Sequence, residues 1–149
     1  ETLKIPSTVT TISKEAFSGC SSLQQIIIPE AVTSIGREAF ENCTSLETLV
    51  IPSKVESIGY YAFGHCDNLR DVEIKCDTLK KIGDGVSSSL FKDCISLEKV
   101  RITGKLEKIP ASMFEDSQYI QSVELPSTIK EISSSAFENC SSLNQITIP

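Results

Sequence analysis

Six cysteines and one histidine are the side chains in this 149-residue chain best suited to chemistry. Cysteine can serve as nucleophile, disulfide partner or soft metal ligand, and histidine as base or ligand near neutral pH. Their spacing argues against each of these uses. Cys20, Cys43, Cys66, Cys94 and Cys140 recur every 23 residues, with one interval of 28 and with Ser117 standing where a thiol is skipped. That interval matches no zinc-finger signature, and histidine ligands to complete a set are lacking. Equivalent positions in stacked repeats point the same way, which is poor geometry for joining two sulfurs. The column cysteines therefore read as free, buried thiols behaving as small apolar groups. Cys76 lies off the column and reads as the thiol open to solvent. His65 aligns with Gly19, Asn42, Asp93, Asp116 and Asn139, types that tolerate positive φ or bond their own backbone, so it reads as a turn residue. A single histidine would have to serve every candidate nucleophile. The expectation is no enzyme, no metal and no cofactor.

What positions these residues is a repeat. All six phenylalanines, Phe17, Phe40, Phe63, Phe91, Phe114 and Phe137, keep the cysteine interval. The chain divides into 7–29, 30–52, 53–75, 76–103, 104–126 and 127–149, with 1–6 the tail of a preceding unit, all within one domain spanning 1–149. Each unit reads roughly x-x-V-x-x-I-x-x-x-A-F-x-x-C-x-x-L-x-x-I-x-I-P. The alternation of Leu69, Val72 and Ile74 with polar residues predicts a short strand with one buried face. Pro29, Pro52, Pro126 and Pro149 end that strand, since proline removes a ladder donor. The A-F-x-x-C stretch predicts one or two turns of α or 3₁₀ helix. A unit this small cannot bury its own apolar side, whereas stacked copies with parallel strands can. The core is predicted to hold the phenylalanine column, the cysteine column and Ala16, Ala39, Ala62, Leu90, Met113 and Ala136.

The segments IPEAVTSIGREAFENCTSLETLVIP and IPSKVESIGYYAFGHCDNLRDVEI resemble the BspA-like (treponemal-type) leucine-rich repeats, and the resemblance extends over essentially every residue. It implies an α/β repeat solenoid, a right-handed leucine-rich-repeat superhelix with parallel strands on the concave face and short helical or 3₁₀ turns in each repeat. It further implies a secreted or cell-surface protein resembling host-protein-binding adhesins, with host extracellular matrix or plasma proteins as partners.

A net charge of −6 without a cluster of Lys or Arg argues against nucleic acid and anionic lipid. No apolar run is long enough for a membrane span, so this segment is not expected to insert. The residues between the buried strand positions form three outward columns. One is Lys4, Ile27, Val50, Glu73, Arg101, Glu124 and Thr147; the next is Thr2, Gln25, Thr48, Asp71, Lys99, Ser122 and Gln145. The third, leading into the strand, is Glu1, Gln24, Glu47, Arg70, Glu98, Gln121 and Asn144. Opposite charges fall on adjacent strands at Glu47–Arg70–Glu98, Asp71–Lys99 and Glu73–Arg101–Glu124, where cross-strand pairs contribute roughly 0.2–1 kcal/mol each. The candidate protein-binding concave face is Ile27, Val50, Arg70, Asp71, Glu73, Lys99, Arg101 and Glu124. Tyr60, Tyr61 and Tyr119 depart from mostly polar columns and form a candidate second patch.

Unit 76–103 carries five extra residues, and Asp84 to Ser89 have loop composition; a binding loop and a tolerated insertion both fit. Asn42-Cys43-Thr44 and Asn139-Cys140-Ser141 match the glycosylation sequon. The chain starts without Met partway through a unit and lacks polar caps, which reads as a fragment of a longer array whose export signal lies outside it. The leading functional expectation is a non-catalytic protein–protein interaction module. The alternative is a structural spacer that displays another domain without binding through its own concave face.

Overall fold

The computed structural model describes residues 2–83 and 88–148. Along the chain, longer and shorter strands alternate. The longer set is β1 (Thr2–Lys4), β3 (Gln25–Ile27), β5 (Thr48–Ile51), β7 (Asp71–Ile74), β9 (Lys99–Ile102), β11 (Ser122–Glu124) and β13 (Gln145–Thr147). The two-residue set is β2 (Thr11–Ile12), β4 (Ser34–Ile35), β6 (Ser57–Ile58), β8 (Lys81–Ile82), β10 (Lys108–Ile109) and β12 (Glu131–Ile132). The longer strands pair in sequence order as one parallel seven-stranded sheet. The product is a parallel-strand β-solenoid of about six turns.

Period-two patterning sets the faces. Leu49 and Ile51, Val72 and Ile74, and Val100 and Ile102 point inward and are buried, while Thr48, Asp71 and Lys99 point outward. Strand-closing prolines begin the next turn: the Val32 amide donates to the Pro29 carbonyl at 3.0 Å and the Val55 amide to the Pro52 carbonyl at 3.3 Å.

Inside, the phenylalanines stack as a spine. Ring centroids lie 5.2 Å apart for Phe17–Phe40, 5.4 Å for Phe40–Phe63 and 5.2 Å for Phe114–Phe137, opening to 5.9 and 6.2 Å on either side of Phe91. Phe40, Phe63, Phe91 and Phe114 are fully buried, as are Ala39, Ala62, Leu90 and Met113 beside them. In the first repeat Ala16 and Cys20 are exposed and Phe17 is half-buried, and in the last Phe137 and Cys140 are half-buried, in contrast to the core placement predicted for them. Phe17 and Phe137 each stack on one neighbouring ring, Phe40 and Phe114, where the inner rings have two.

No helix forms among the described residues, and the expected helical or 3₁₀ turns, with the α/β class they implied, are corrected to an all-β winding. The backbone explains this. Glu38 (φ 54°) and Asn42 (φ 59°) both adopt the left-handed region, as do Tyr61 (φ 52°) and His65 (φ 55°) a repeat later. Two such residues four apart cannot share a helix. Instead, alternate amides reach the following repeat: Glu38 to the Tyr60 carbonyl at 2.9 Å, Phe40 to Ala62 at 2.8 Å and Asn42 to Gly64 at 2.9 Å. The amides between them make local turns, Glu41 to Glu38 at 3.2 Å and Cys43 to Phe40 at 3.3 Å. Side-to-side bonding of the turns replaces the helix ladder.

The short strands form two sheets, β2-β4-β6-β8 and β10-β12, broken between β8 and β10 where the lengthened repeat intervenes. At earlier turns an amide bridges the repeats, Gly59 to Ile35 and Gly83 to Ile58 at 2.8 Å each. Pro110 occupies that position in the next turn and has no N–H to give. A groove of about 620 Å³, lined in part by Leu79, Lys80, Lys108 and Pro110, lies at the break. Of the predicted insertion loop, residues 84–87 lie outside the described residues. Ser88 and Ser89, expected to belong to it, are buried.

Candidate functional site

All six cysteines are free. Each covered column thiol donates to the phenylalanine carbonyl one repeat earlier: Cys43 to Phe17 at 3.2 Å, Cys66 to Phe40 at 3.3 Å, Cys94 to Phe63 at 3.1 Å and Cys140 to Phe114 at 3.0 Å. Burial pushes the Cys43 thiol up to about 12 and Cys140 to about 11. The neighbouring Cys94 thiol and burial together hold Cys66 well above the usual range. Such thiols stay protonated at neutral pH and are poor nucleophiles. Cys76, expected to be the solvent-open thiol, is instead fully buried; it donates to the Pro52 carbonyl at 3.5 Å, and burial pushes it up to about 12. The exposed thiol is Cys20, on the first repeat.

His65 adopts the positive φ expected from its column, together with Gly19, Asn42, Asp93, Asp116 and Asn139. Its Nδ1 lies 3.8 Å from an Asp93 carboxylate oxygen. Among the described residues no group of three or more His, Cys, Asp or Glu could hold a metal ion. Among them also no helix is long and apolar enough to cross a membrane.

The outer face of the seven-stranded sheet carries the predicted concave-face residues. Register places Asp71 opposite Lys99, Glu73 opposite Arg101 and Glu124 opposite Arg101. Pairing nevertheless runs along the diagonals and departs from the directly opposite pairs expected. Arg101 Nη2 donates to both Asp71 carboxylate oxygens at 3.1 and 3.2 Å, and Lys99 Nζ lies 2.6 Å from Glu124 Oε1. Long side chains lean along their strands, which brings diagonal neighbours within reach. The Asp71 carboxylate raises the Arg101 guanidinium further above its usual range and keeps it charged. Glu73, released from Arg101, accepts from Thr103 Oγ1 at 2.8 Å and faces Lys75 Nζ at 3.8 Å. The expected Glu47–Arg70–Glu98 ladder does not form as ion pairs among the described residues: Arg70 is exposed there without one. Ile27 and Val50 stand on the same face, 52% and 42% exposed.

Tyr60 and Tyr61 are brought together and Tyr119 is not. The Tyr60 and Tyr61 rings stack at 3.7 Å between centroids, half-buried. Arg37 lies 5.5 Å from the Tyr60 ring centre, and Lys92 lies 5.1 Å from that of Tyr61 while donating to its hydroxyl at 2.8 Å. The Tyr61 hydroxyl, then burial, pushes the Tyr60 phenol up to about 12. The pair is thus clamped between two cations, which leaves it less free area than an open aromatic patch. Tyr119 stands two repeats on, exposed, on the turn leading to β11. The column reading missed Ile95, which is 53% exposed in a position that is polar in every other repeat.

Similar architectures exist among solved structures. A leucine-rich repeat protein from Eubacterium ventriosum superposes with a TM-score of 0.79 at 30% identity, covering 99% of this chain and 39% of the other. One from Bacteroides ovatus gives 0.77 at 24% identity, covering 99% and 43%. The pneumococcal vaccine antigen PcpA gives 0.72 at 21%, covering 100% and 41%. The chain thus spans about two fifths of the length of these proteins. No curated protein shows significant similarity to it. Six copies of the BspA type leucine-rich repeat region match residues 1–87 and 84–149, and with the stacked parallel strands they make the chain a member of that family.

Proposed function

We propose that this chain is a non-catalytic protein-interaction module of a secreted or cell-surface protein, working in the manner of a host-protein-binding adhesin. The observation that carries the reading is the outer face of the long sheet. It is a wide, regular surface of charged and polar side chains, with Ile27 and Val50 left open to water beside them. Solenoids present such surfaces, read here as the concave side, to protein ligands. Membership of the BspA type repeat family supports both the interaction role and the location. The buried, protonated thiols and the lone histidine in a turn support the non-catalytic part.

A second reading is favoured by the diagonal pairs. Asp71–Arg101 and Lys99–Glu124 already satisfy one another, as they would in a spacer whose face only needs to stay soluble and in register.

Binding to immobilised extracellular matrix and plasma proteins tests the proposal, with fibronectin and fibrinogen among them. The comparison variant reverses the charges of Asp71, Glu73, Lys99 and Arg101 and is checked for intact folding. Saturable binding that the variant loses supports recognition by this face. Absence of binding across the panel supports the spacer.

A further inference from the structure

On the turn leading into β9, Ile95 follows the cysteine column directly. The other repeats place Ser21, Thr44, Asp67, Gln118 and Ser141 there, all polar, yet Ile95 is 53% exposed. Nothing in the fold calls for an apolar side chain at this place, and its burial in a contact would be favourable. One strand earlier, Arg70 is the single cation in the column Gln24, Glu47, Arg70, Glu98, Gln121 and Asn144. Its backbone is pinned, the amide donating to the Glu47 carbonyl at 3.0 Å. Its guanidinium makes no ion pair or hydrogen bond among the described residues. Lys99 next to it is already held by Glu124 at 2.6 Å. Arg70, Ile95, Ser96, Glu98 and Lys99 line one open groove of about 520 Å³.

We infer that this groove docks an extended segment of a partner protein that carries an aspartate or glutamate next to an aliphatic or aromatic residue. Arg70 grips the carboxylate with its planar fork, the geometry that guanidinium matches best. Ile95 covers the apolar neighbour, and Ser96 offers a hydroxyl to the segment's backbone. Glu98, across from Arg70 in the register of β7 and β9, repels a second acid beside the first, which selects segments whose acids are spaced apart. The inference rests on the sheet face being a protein-binding surface and narrows that reading to the ends of two neighbouring strands.

The test uses the whole isotope-labelled chain and a short capped peptide of Glu-Leu pairs separated by glycine and serine. The same peptide with Lys replacing Glu is the comparison. Saturable amide shifts at Arg70, Ile95, Ser96 and Glu98 are expected for the Glu-Leu peptide. Arg70→Gln and Ile95→Ser should each weaken them about tenfold while the melting curve stays in place. Equal response to both peptides, shifts centred elsewhere or no saturable response would overturn the groove. The two variants also go into the matrix and plasma protein panel. Binding kept by both but lost on reversing Asp71, Glu73, Lys99 and Arg101 sinks the groove and leaves the wider reading standing. Failure of the unaltered chain to bind the panel sinks the wider reading instead.

Discussion

The Cys94 thiol points at the Phe63 carbonyl oxygen 3.1 Å away, in the repeat before its own. The same contact recurs along the stack and ties the cysteine column to the phenylalanine spine. Ser117 interrupts it. Its side chain is buried and its Oγ has no hydrogen-bond partner. A C–O bond is shorter than a C–S bond, so the hydroxyl stops short of the Phe91 carbonyl that a thiol would meet.

Ser117→Cys should therefore stabilise the chain by about 1 kcal/mol, since it satisfies a buried donor and fills the column. Cys66→Ser should cost a similar amount, because it creates the same orphan. Urea unfolding with an unchanged slope is the measurement. A Ser117→Cys variant no more stable than the parent would show that the thiol–carbonyl contact contributes nothing.

Thiol reactivity should divide in two. Cys20 is exposed and should react with a disulfide reagent at once, a fast phase that Cys20→Ser removes. Cys43, Cys66, Cys76 and Cys94 are buried and should react only on unfolding. Because Cys43 and Cys76 are raised from 9.0 to about 12, the unfolded chain loses those protons first. Their contribution to stability is complete below pH 9 and disappears as pH climbs toward 12. Alkaline melts that stay level across that window would contradict the burial.

The repeat, the strands and most of the core were legible because each rests on a spacing that residue type alone reveals. His65 shows how far this goes: its column of Asn, Asp and Gly predicted a positive φ, and it has one. Glu15, Glu38 and Ser112 share the same conformation four residues upstream of their column mates, yet nothing in Glu or Ser announces it. That second reversal is imposed by bonds to the next repeat, and it is why the helical expectation failed. Side-chain reach was equally hidden. Column alignment set Asp71 opposite Lys99, but which cation Asp71 would bind depended on how Arg101 leans. Cys76 lies off the column, and an offset in sequence does not reveal direction: its thiol turns into the core, fully buried and bonded to the Pro52 carbonyl.

Close stacking of turns makes one glycine sensitive and another tolerant. A Cβ on Gly59 would sit 2.3 Å from the Arg37 backbone nitrogen, whereas on Gly64 the nearest atom is the Tyr61 Cβ at 3.4 Å. Gly59→Ala must push two repeats apart and should cost at least 1–3 kcal/mol, about the range for overpacking. Gly64→Ala should be close to neutral. Equal melting temperatures for the two variants would mean that the turns are stacked less tightly than described.

The spine itself should show a position effect. Phe63 is fully buried between Phe40 and Phe91, with centroids at 5.4 and 5.9 Å, so truncation removes two ring stacks and opens a cavity. Phe63→Ala should cost about 3–5 kcal/mol. Phe17 is only half-buried and stacks on Phe40 alone at 5.2 Å. In a repeat array, where each unit is stabilised by its immediate neighbours, Phe17→Ala should cost distinctly less and leave the central repeats folded. Chemical denaturation gives the totals, and hydrogen exchange shows which repeats open. Equal losses at the two positions would mean that the array unfolds as one block, whereas a loss below about 1 kcal/mol at Phe63 would break the assigned register of the phenylalanine column.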